Sequence, residues 1–409
     1  MRLVLIAVVL GACVAPGEGL PQSTTHTLAT LSPSPSVASA SLAATAWRRI
    51  ADIPTARSEV AAAVFRNEVY VIGGFGGGRV VEIFDGQRWR RGADLPLEVD
   101  HAMAASVPET AGAAAGVYVF GGNAGAPTAR SFRLAPDATA WREIAAMPGP
   151  RSQAAAVARG TSIYIVGGYD GQRLVAPSYA YEVSVDRWRQ VAPIPTPRDH
   201  LAAALVADRV CAVGGRKLSL STNLATLECY DPAAERRSHR LVQARHPRLD
   251  GADAHLGEPE PAEGGDLEIG VVQAPRDHLA AALIADRICA VGGRKLSLST
   301  NLATLECFDP AADRWEAQPD APTARGGVGA AAVGDRLVFV GGERPEGTYK
   351  EVELYDGATR AWSRLPDLPT PRHGIGVVAV GRTVYVMSGG PTPGGSQTPV
   401  SEALDLPAQ

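Results

Sequence analysis

The sequence lacks several features that would assign a protein to a functional class at once. Its 39 Lys and Arg residues against 43 Asp and Glu residues give a net charge of -4, so there is no positive excess that would attract nucleic acid. Spacing supports no Ser-His-Asp arrangement, phosphate-binding glycine loop or zinc motif, and we therefore predict no catalytic residue, metal site or cofactor. The 45% apolar and 20% charged residues exclude a wholly disordered chain.

The apolar run at the start of the chain is too short to span a bilayer. Residues 3–10 form this run, whereas a membrane-spanning helix needs about 20 residues. A basic start, the short run and small residues before Cys13 indicate a signal peptide over residues 1–12. The small residues resemble the lipobox of bacterial lipoproteins, which implies lipidation at Cys13. The alternative is a plain cleaved signal peptide, and both place the protein outside the cytoplasm, either in the bacterial cell envelope or secreted.

Residues 13–46 have a composition that does not favour folding. They are rich in Ser, Thr, Ala and Pro, as in the stretch Leu-Ser-Pro-Ser-Pro-Ser at 31–36. Such a segment cannot bury enough apolar surface to offset the entropy lost on ordering. We predict a disordered tether between a membrane anchor and a folded body at residues 47–409.

An internal repeat organises the folded body. A Gly-Gly pair closes a short apolar run at Gly73-Gly74, Gly121-Gly122, Gly167-Gly168, Gly214-Gly215, Gly292-Gly293, Gly341-Gly342 and Gly389-Gly390. Successive first glycines lie 48, 46, 47, 78, 49 and 48 residues apart, so all but one interval are just below fifty. A fixed period of this length is typical of repeat folds and propellers.

Each repeat contains the same features in the same order. A turn with Pro and Arg precedes an Ala-rich segment, a second apolar segment runs into the glycines, and a third ends near Tyr-Asp or Phe-Asp. A Trp opens the fourth segment at Trp89, Trp141, Trp188, Trp315 and Trp362. Four short strands separated by turns are what one blade of a β-propeller requires. Small residues on the first strand suit an innermost position near the axis, and the large aromatic suits packing between blades.

These repeats resemble the Kelch family, and more specifically bacterial secreted Kelch proteins. The resemblance covers about residues 47–406 and implies an all-β propeller of seven four-stranded blades. Residues 47–53 look like a fourth strand without its first three, and the last repeat lacks its fourth strand. We predict that the two chain ends share one blade and close the ring.

The interval of 78 residues has a visible cause. Residues 198–236 and 276–314 are almost identical, which indicates a copied blade. We interpret the intervening segment as a loop of about 237–265 inserted between the third and fourth strands of blade four, with residues 267–272 as the fourth strand. If the copied blade does not join the ring, the propeller has six blades.

The other four cysteines fall in the two copies of this blade. Cys211 and Cys229 lie on the second and third strands of one copy, and Cys289 and Cys307 occupy the same places in the other. In an oxidising compartment a disulfide within each blade is expected. The alternative is that all four are buried free cysteines.

An Arg recurs at the entry to six repeats, with Val99 in this position in the second. These arginines are Arg57, Arg151, Arg198, Arg276, Arg325 and Arg372. One hypothesis places them as a cationic ring on the face of the Gly-Gly loops, near Arg79, Arg173, Arg216 and Arg294, where they would bind an acidic ligand. The alternative is that each pairs with a neighbouring carbonyl or carboxylate and joins blade segments. A residue that recurs in nearly every repeat favours the alternative.

Histidines share a further repeat position. His101, His200 and His278 are equivalent, and His373 lies one residue earlier in its own repeat. Because equivalent positions are spread around a ring, we expect that no single metal reaches all of them.

The functional prediction is a membrane-tethered, extracytoplasmic and monomeric interaction module that binds a protein or a glycan. The alternative is a carbohydrate-active enzyme resembling the secreted sialic-acid mutarotases, since an Arg-rich mouth suits an acidic sugar. None of the catalytic residues of those enzymes can be assigned to this sequence.

Overall fold

A computed structural model describes residues 46–219, 222, 224, 226–233, 236–238, 276, 278–295, 297–312 and 314–407. Its long strands form seven four-stranded antiparallel sheets in a ring, so the fold is a seven-bladed β-propeller. This result confirms the fold class and the number of blades predicted from the repeat. The predicted signal peptide, Cys13 and almost the whole predicted tether lie outside the described residues.

Strands are numbered in chain order, and blades one to four follow a short first strand. The first strand is β1 (Arg48–Arg49), and blade one consists of β2 (Ala61–Phe65), β3 (Glu68–Ile72), β4 (Val81–Phe84) and β5 (Trp89–Arg91). Blade two consists of β6 (Met103–Val107), β7 (Gly116–Phe120), β8 (Ser131–Leu134) and β9 (Arg142–Ile144), and blade three of β10 (Ala155–Arg159), β11 (Ser162–Val166), β12 (Ser178–Glu182) and β13 (Arg187–Val191). Blade four consists of β14 (Ala202–Val206), β15 (Arg209–Val213), β16 (Leu227–Asp231) and β17 (Arg236–Ser238). A 3-10 helix, Glu109–Ala114, connects β6 to β7.

Blades five to seven continue the ring. Their strands are β18 (Ala280–Ile284), β19 (Arg287–Val291), β20 (Leu305–Asp309), β21 (Arg314–Gln318) in blade five; β22 (Gly329–Val333), β23 (Arg336–Val340), β26 (Val352–Asp356), β27 (Ala361–Leu365) in blade six; and β28 (Gly376–Val380), β29 (Thr383–Met387), β30 (Ser401–Asp405) in blade seven. A two-stranded ribbon of β24 (Glu343–Arg344) and β25 (Gly347–Thr348) projects from blade six.

The ring closes through the two ends of the folded body. Strand β1 pairs antiparallel with β30, with Arg48 opposite Ala403 and Arg49 opposite Glu402, and so becomes the fourth strand of blade seven. This pairing satisfies the edge of β30 that would otherwise be open. The predicted closure by shared chain ends is confirmed.

Among the described residues the hydrophobic core forms seven separate clusters, and each one lies between two neighbouring blades. The cluster between blades seven and one, for example, brings Met387 and Ala403 against Val71 and Phe84. A four-stranded sheet has two faces, and in this arrangement both are covered by neighbours. No blade can bury its own faces alone, which is why the ring is the folding unit.

The repeated Trp residues join successive blades by a hydrogen bond as well as by packing. In each case the indole Nε1 donates to a carbonyl oxygen of the preceding blade: Trp47 to Pro366, Trp89 to Ala51, Trp141 to Ala93, Trp188 to Ala145 and Trp362 to Pro319, at 2.7–2.8 Å. Trp315 has no such partner within the part of the chain that the structure describes.

The glycine pairs allow adjacent blades to approach closely. Gly73 and Gly74 have φ values of 61° and 92°, and the N–H of Gly74 donates to the carbonyl of Val99 in the next blade at 2.8 Å. A Cβ on Gly73 would lie 2.5 Å from that same oxygen. In blade seven the equivalent pair is Ser388 and Gly389 (φ 57° and 97°), one residue earlier than the Gly-Gly pair in the sequence.

The segment between the copied blades begins later than predicted. The fourth strand of blade four is β17, where Arg237 pairs with Tyr230 directly after the third strand. The prediction that the insertion separates these two strands is therefore wrong, because only residues 232–235 stand between the third strand and β17. Residues 267–272, proposed as the fourth strand, lie outside the described residues, as does nearly all of the segment 237–265.

No helix among the described residues is long and apolar enough to cross a membrane.

Candidate functional site

The six repeated arginines are buried inside the propeller. Their side chains rank among the largest fully buried ones, at 0–1% exposure: Arg57, Arg151, Arg198, Arg276, Arg325 and Arg372. Burial of a guanidinium costs free energy unless it is paired and hydrogen bonded. The partners of these groups therefore decide their role.

Arg325 shows the arrangement that recurs. Its Nη2 lies 2.6 Å from Oε2 of Glu353 on β26, and its Nη1 donates to the carbonyl oxygen of Glu351 at 2.5 Å. The hydroxyl of Thr323 donates to the second carboxylate oxygen of Glu353 at 2.7 Å. The loop that enters the blade is thus fastened to the third strand of the same blade by a buried ion pair.

Five blades contain this ion pair, and in each the carboxylate comes from the same position of the third strand. The pairs are Arg57–Glu82, Arg198–Glu228, Arg276–Glu306, Arg325–Glu353 and Arg372–Glu402, at 2.5–2.9 Å. Blade two has Val99 at the arginine position and Phe132 at the glutamate position, so both charges are replaced together. This paired substitution in the sequence was the signal for the ion pair, and the sequence prediction overlooked it.

The hypothesis of an exposed cationic ring is corrected by this geometry. The charges of Arg57, Arg198, Arg276, Arg325 and Arg372 are neutralised by buried glutamates of the same blade, and Arg151 is buried as well. None of the six side chains is exposed, so together they form no open cationic ring at the surface. The alternative role, in which each arginine joins segments of one blade, is the one that the structure shows for the five paired arginines.

An arc of blade-entry residues lies at the end of the central channel on the face of the Gly-Gly loops. These residues follow the arginine position by two places and all have φ between 49° and 69°: Glu59, His101, Gln153, His200, His278, Gly327 and Gly374. Backbone N–H groups donate from one blade to the previous one, from His101 to Glu59, Gln153 to His101 and His200 to Gln153, at 3.0–3.2 Å. In the same way, the N–H of Gly327 donates to the carbonyl of His278, and the N–H of Gly374 donates to the carbonyl of Gly327, both at 3.0 Å. This arc brings side chains from different blades together.

A buried polar cluster surrounds His101 in this arc. Its Nε2 lies 3.0 Å from Oε2 of Glu59, and its Nδ1 lies 2.7 Å from Oδ1 of Asp100. Burial opposes protonation of this imidazole, but hydrogen bonds to Asp100 and Glu59 and their negative charges outweigh it, raising the pKa of His101 to about 9. His101 is therefore a cation at neutral pH.

The imidazole of His200, two blades away, faces that of His101 with ring centroids 5.5 Å apart. Burial lowers the pKa of His200, and the nearby charge of Arg216 adds to this effect. The sequence led us to expect that histidines at equivalent positions are spread around the ring. These two lie closer together than that expectation implied. Among the described residues, however, no group of three or more His, Cys, Asp and Glu side chains is arranged to hold a metal ion.

A second buried cluster lies across blades five to seven. Glu343 accepts from Nη1 of Arg294 at 2.8 Å, and its other carboxylate oxygen lies 3.5 Å from Nε2 of His373. Nη2 of Arg294 in turn contacts Nε2 of His278 at 3.0 Å. Arg294 and Glu343 thus form a buried ion pair that contacts the two imidazoles. Glu59 and Glu343 were missed in the sequence because they belong to no motif.

An open groove lies beside the His101 cluster, between the loops of blades one and two. It has a volume of about 870 Å³ and is lined by residues 74–79, 96–100 and 123–125. Phe75 is 40% exposed, which is unusual for a large apolar side chain, and its ring contacts His101 edge-on at 5.4 Å. In this loop the backbone of Gly76 is exposed, whereas Gly77 is buried and Gly77 and Gly78 are hydrogen bonded within the loop.

The opposite end of the channel has a different character. A cavity of about 540 Å³ is lined by the first strands of blades one to four, chiefly by their alanines, together with residues 108–110. The predicted placement of Ala-rich first strands at the axis accounts for this lining. Arg66, at the rim, pairs with Glu109 and Asp137.

The four cysteines of the copied blades are joined in pairs. Cys211 bonds to Cys229 and Cys289 to Cys307, each across directly opposed positions of the second and third strands. All four sulfur-bearing side chains are buried in clusters between blades. The disulfides therefore reinforce blades four and five and leave no free thiol at these four positions.

Comparisons with known proteins agree with the repeat and say little about function. Residues 56–96 and 150–195 match the Kelch motif, and residues 290–409 match a family described as a protein of unknown function, DUF1668. An F-box/kelch-repeat protein of Arabidopsis thaliana is 35% identical over 54 residues, which is 13% of this chain and 14% of that protein. The chain thus contains Kelch motifs on a seven-bladed propeller, a fold that commonly serves as a protein-interaction module.

Proposed function

We propose that this protein is an extracytoplasmic interaction module that binds a protein partner in the groove between blades one and two. The observation that carries the proposal is the exposed ring of Phe75 at the edge of an open groove of about 870 Å³. Exposed aromatic side chains beside a concave surface are typical anchors of protein recognition. Loops at the end of a rigid scaffold are also where binding residues concentrate.

The groove favours a polypeptide over a highly charged ligand. Its rim contains one exposed cation, Arg79, and one exposed acid, Glu98, so its charge is balanced. Gly76 is exposed, and its N–H and carbonyl make no backbone hydrogen bond among the described residues, so both can serve an extended segment. We expect a partner loop that places an apolar side chain against Phe75 and hydrogen bonds to this backbone.

The groove proposal is tested by replacing its anchor. Phe75→Ala removes the aromatic ring, and Val185→Ala is the matched control, since Val185 is 59% exposed and lies in the turn between β12 and β13, away from the groove lining. A photo-reactive residue at position 79 would first capture and identify the partner by mass spectrometry. In titrations with that partner, Phe75→Ala should weaken binding by tenfold or more and Val185→Ala by less than twofold. Equal affinity for wild-type protein and Phe75→Ala would refute the groove as the binding site.

The cellular location is part of the same proposal. The two disulfides and the signal-like start of the chain support export to an oxidising compartment. We expect metabolic labelling with a fatty acid to mark the wild-type protein and to fail for Cys13→Ser. Labelling of both proteins, or of neither, would remove the lipid anchor from the proposal.

A monomer is part of the same proposal, because β1 covers the outer edge of β30 and leaves blade seven with only a short outer strand. Light scattering of the purified protein tests this point directly.

A further inference from the structure

Blade three is the exception among the blades that contain an entry arginine. Arg151 is 1% exposed, but the third-strand position that carries glutamate elsewhere is occupied by Tyr179. The side chain of Arg151 donates from Nη2 to the carbonyl of Pro177 at 2.9 Å, and its Nε and Nη1 have no hydrogen-bond partner in the described part of the chain. No salt bridge to Arg151 occurs among the described residues.

The position of the unpartnered nitrogen follows from the other blades. In four of the five blades with the ion pair, one terminal nitrogen donates to the carbonyl two residues before the glutamate and the other faces the carboxylate. Arg325, for example, donates to the carbonyl of Glu351 and faces the carboxylate of Glu353. Pro177 stands two residues before Tyr179, so Arg151 keeps the first of these bonds. Its Nη1 therefore occupies the place of the nitrogen that elsewhere binds a carboxylate. Unpartnered Nε atoms also occur in Arg57, Arg276 and Arg325. Nη2 of Arg198 makes no hydrogen bond either, but it lies 2.9 Å from the carboxylate of Glu228, so Arg151 differs in having no carboxylate opposite its terminal nitrogen.

The ring of Tyr179 compensates this charge only in part. Its centroid lies 5.0 Å from the guanidinium carbon of Arg151, a distance at which a cation–π attraction operates. Such an attraction is weaker than a hydrogen-bonded ion pair in a buried site, and it leaves Nη1 without an acceptor. The carboxylate of Asp170 also acts on the charge of Arg151, but it pairs with Arg173 and leaves Nη1 of Arg151 without an acceptor. A buried cation in this condition favours a further counter-charge.

The entry loop of blade three leaves room for a counter-charge to Arg151. The threonine that donates to the glutamate in blade six, Thr323, has Gly149 at its place in blade three, two residues before the arginine. A Cβ built on Gly149 would meet no atom within 4 Å. The threonine and the glutamate are thus replaced together. Because Gly149 is only half-buried and has no side chain, the entry loop is open to solvent two residues before Arg151.

We propose that blade three binds a small monovalent anion, of the size of chloride, against the guanidinium of Arg151. The anion takes the place of the glutamate carboxylate found in the other five arginine-bearing blades. It enters beside Gly149 and accepts a hydrogen bond from Nη1 of Arg151. The site is independent of the groove between blades one and two.

The test compares chloride with gluconate, an anion too large for the site, at constant sodium concentration. Thermal unfolding reports the stabilisation, and the line width of the ³⁵Cl resonance reports bound chloride directly. Chloride should raise the unfolding midpoint of the wild-type protein, and above the dissociation constant each tenfold rise in chloride should lower the unfolding constant about tenfold.

Two variants decide the assignment. Tyr179→Glu combined with Gly149→Thr rebuilds the internal pair, and we expect this variant to unfold at a higher temperature in gluconate and to lose the chloride dependence and the excess ³⁵Cl line width. Arg151→Met should lose both signals as well, at lower stability. If Arg151→Met does not fold, the rebuilt variant alone decides the matter. A wild-type protein without chloride dependence, or a rebuilt variant that keeps the full dependence, overturns the proposal.

Discussion

Arg325 and Glu353 illustrate how single residues hold a blade together. Both residues are fully buried, with 0% of their surface exposed, and their ion pair connects the entry loop to the third strand. A buried ion pair is strongly destabilised when only one member is removed, because the other charge then stays buried without a partner. Blade two shows that the same place tolerates an apolar pair, Val99 with Phe132.

This contrast predicts the outcome of a double-mutant cycle. We expect Arg325→Val or Glu353→Phe alone to lower the free energy of unfolding by about 3–5 kcal/mol, and the double variant to recover a large part of that loss. Chemical denaturation of the four proteins measures the coupling. The exposed pair Arg91–Asp94 is the control, and Asp94→Ala should cost less than about 1 kcal/mol. Additive losses in the cycle would contradict the interpretation.

His101 makes the stability of the protein depend on pH. Its pKa is raised to about 9 in the folded state, chiefly by Asp100 and Glu59 acting against the effect of burial. A raised pKa adds stability that is complete below the unfolded value of about 6.5 and is lost as pH rises through 9. The unfolding free energy of the wild-type protein relative to His101→Gln should therefore fall by about 3 kcal/mol between pH 6 and pH 10.

His200→Gln is the matched comparison for this experiment. Because the pKa of His200 is lowered, its effect has the opposite sign, and its stabilising contribution should decline as pH falls through about 6.5. Parallel pH profiles for the two variants would exclude separate roles for the two imidazoles.

The blades differ in the covalent cross-links between their strands. Blades four and five each contain a disulfide between the second and third strands, and the described residues of the other five blades contain none. Blade four also lacks the tryptophan of its fourth strand, since Arg237 stands at that place. The cross-link thus reinforces a blade that has lost one of the repeated contacts with its neighbour.

We expect the disulfide of blade four to contribute more to stability than its copy. The variant Cys211→Ala with Cys229→Ala should lower the unfolding free energy by about 3 kcal/mol, a value typical of a loop of this length. The equivalent change at Cys289 and Cys307 should cost less, because blade five keeps Trp315. Denaturation with and without a thiol reductant measures both effects, and an equal loss in the two variants would contradict the explanation.

The whole molecule depends on the pairing of its two ends. Strand β1 covers the outer edge of β30, and Ile50 and Ile53 add to the cluster between blades seven and one. Each blade contributes to the core only through its two neighbours. Loss of the closing strand therefore weakens a junction on which the complete ring depends.

Removal of residues 46–53 tests the closure. A body that starts at residue 54 should unfold at a lower temperature and over a broader range than one that starts at residue 46, and should associate through the exposed edge of β30. Calorimetry and light scattering at several concentrations measure these changes. An identical midpoint and a monomeric state in both proteins would show that closure is dispensable.

Local patterns in the sequence were sufficient for the architecture. The spacing of Gly-Gly pairs and tryptophans gave the number of blades, and the incomplete first and last repeats gave the closure, because strands, turns and blade contacts depend on neighbours at fixed intervals. The position of β17 was not recoverable in this way. Its residues lack the tryptophan that marks a fourth strand, so the prediction placed the insertion one strand too early.

Only the tertiary structure decided what the charged residues do. The repeat placed Arg57 and its equivalents on the correct loop, but a loop position does not tell whether a long side chain turns outward or into the blade. The direction is set by the third-strand glutamate, such as Glu82, which is 25 residues away in the sequence and 2.5 Å away in the structure. The pairing of His101 with Glu59 likewise joins different blades. Electrostatic partners depend on distance in space, and only the closed ring determines that distance.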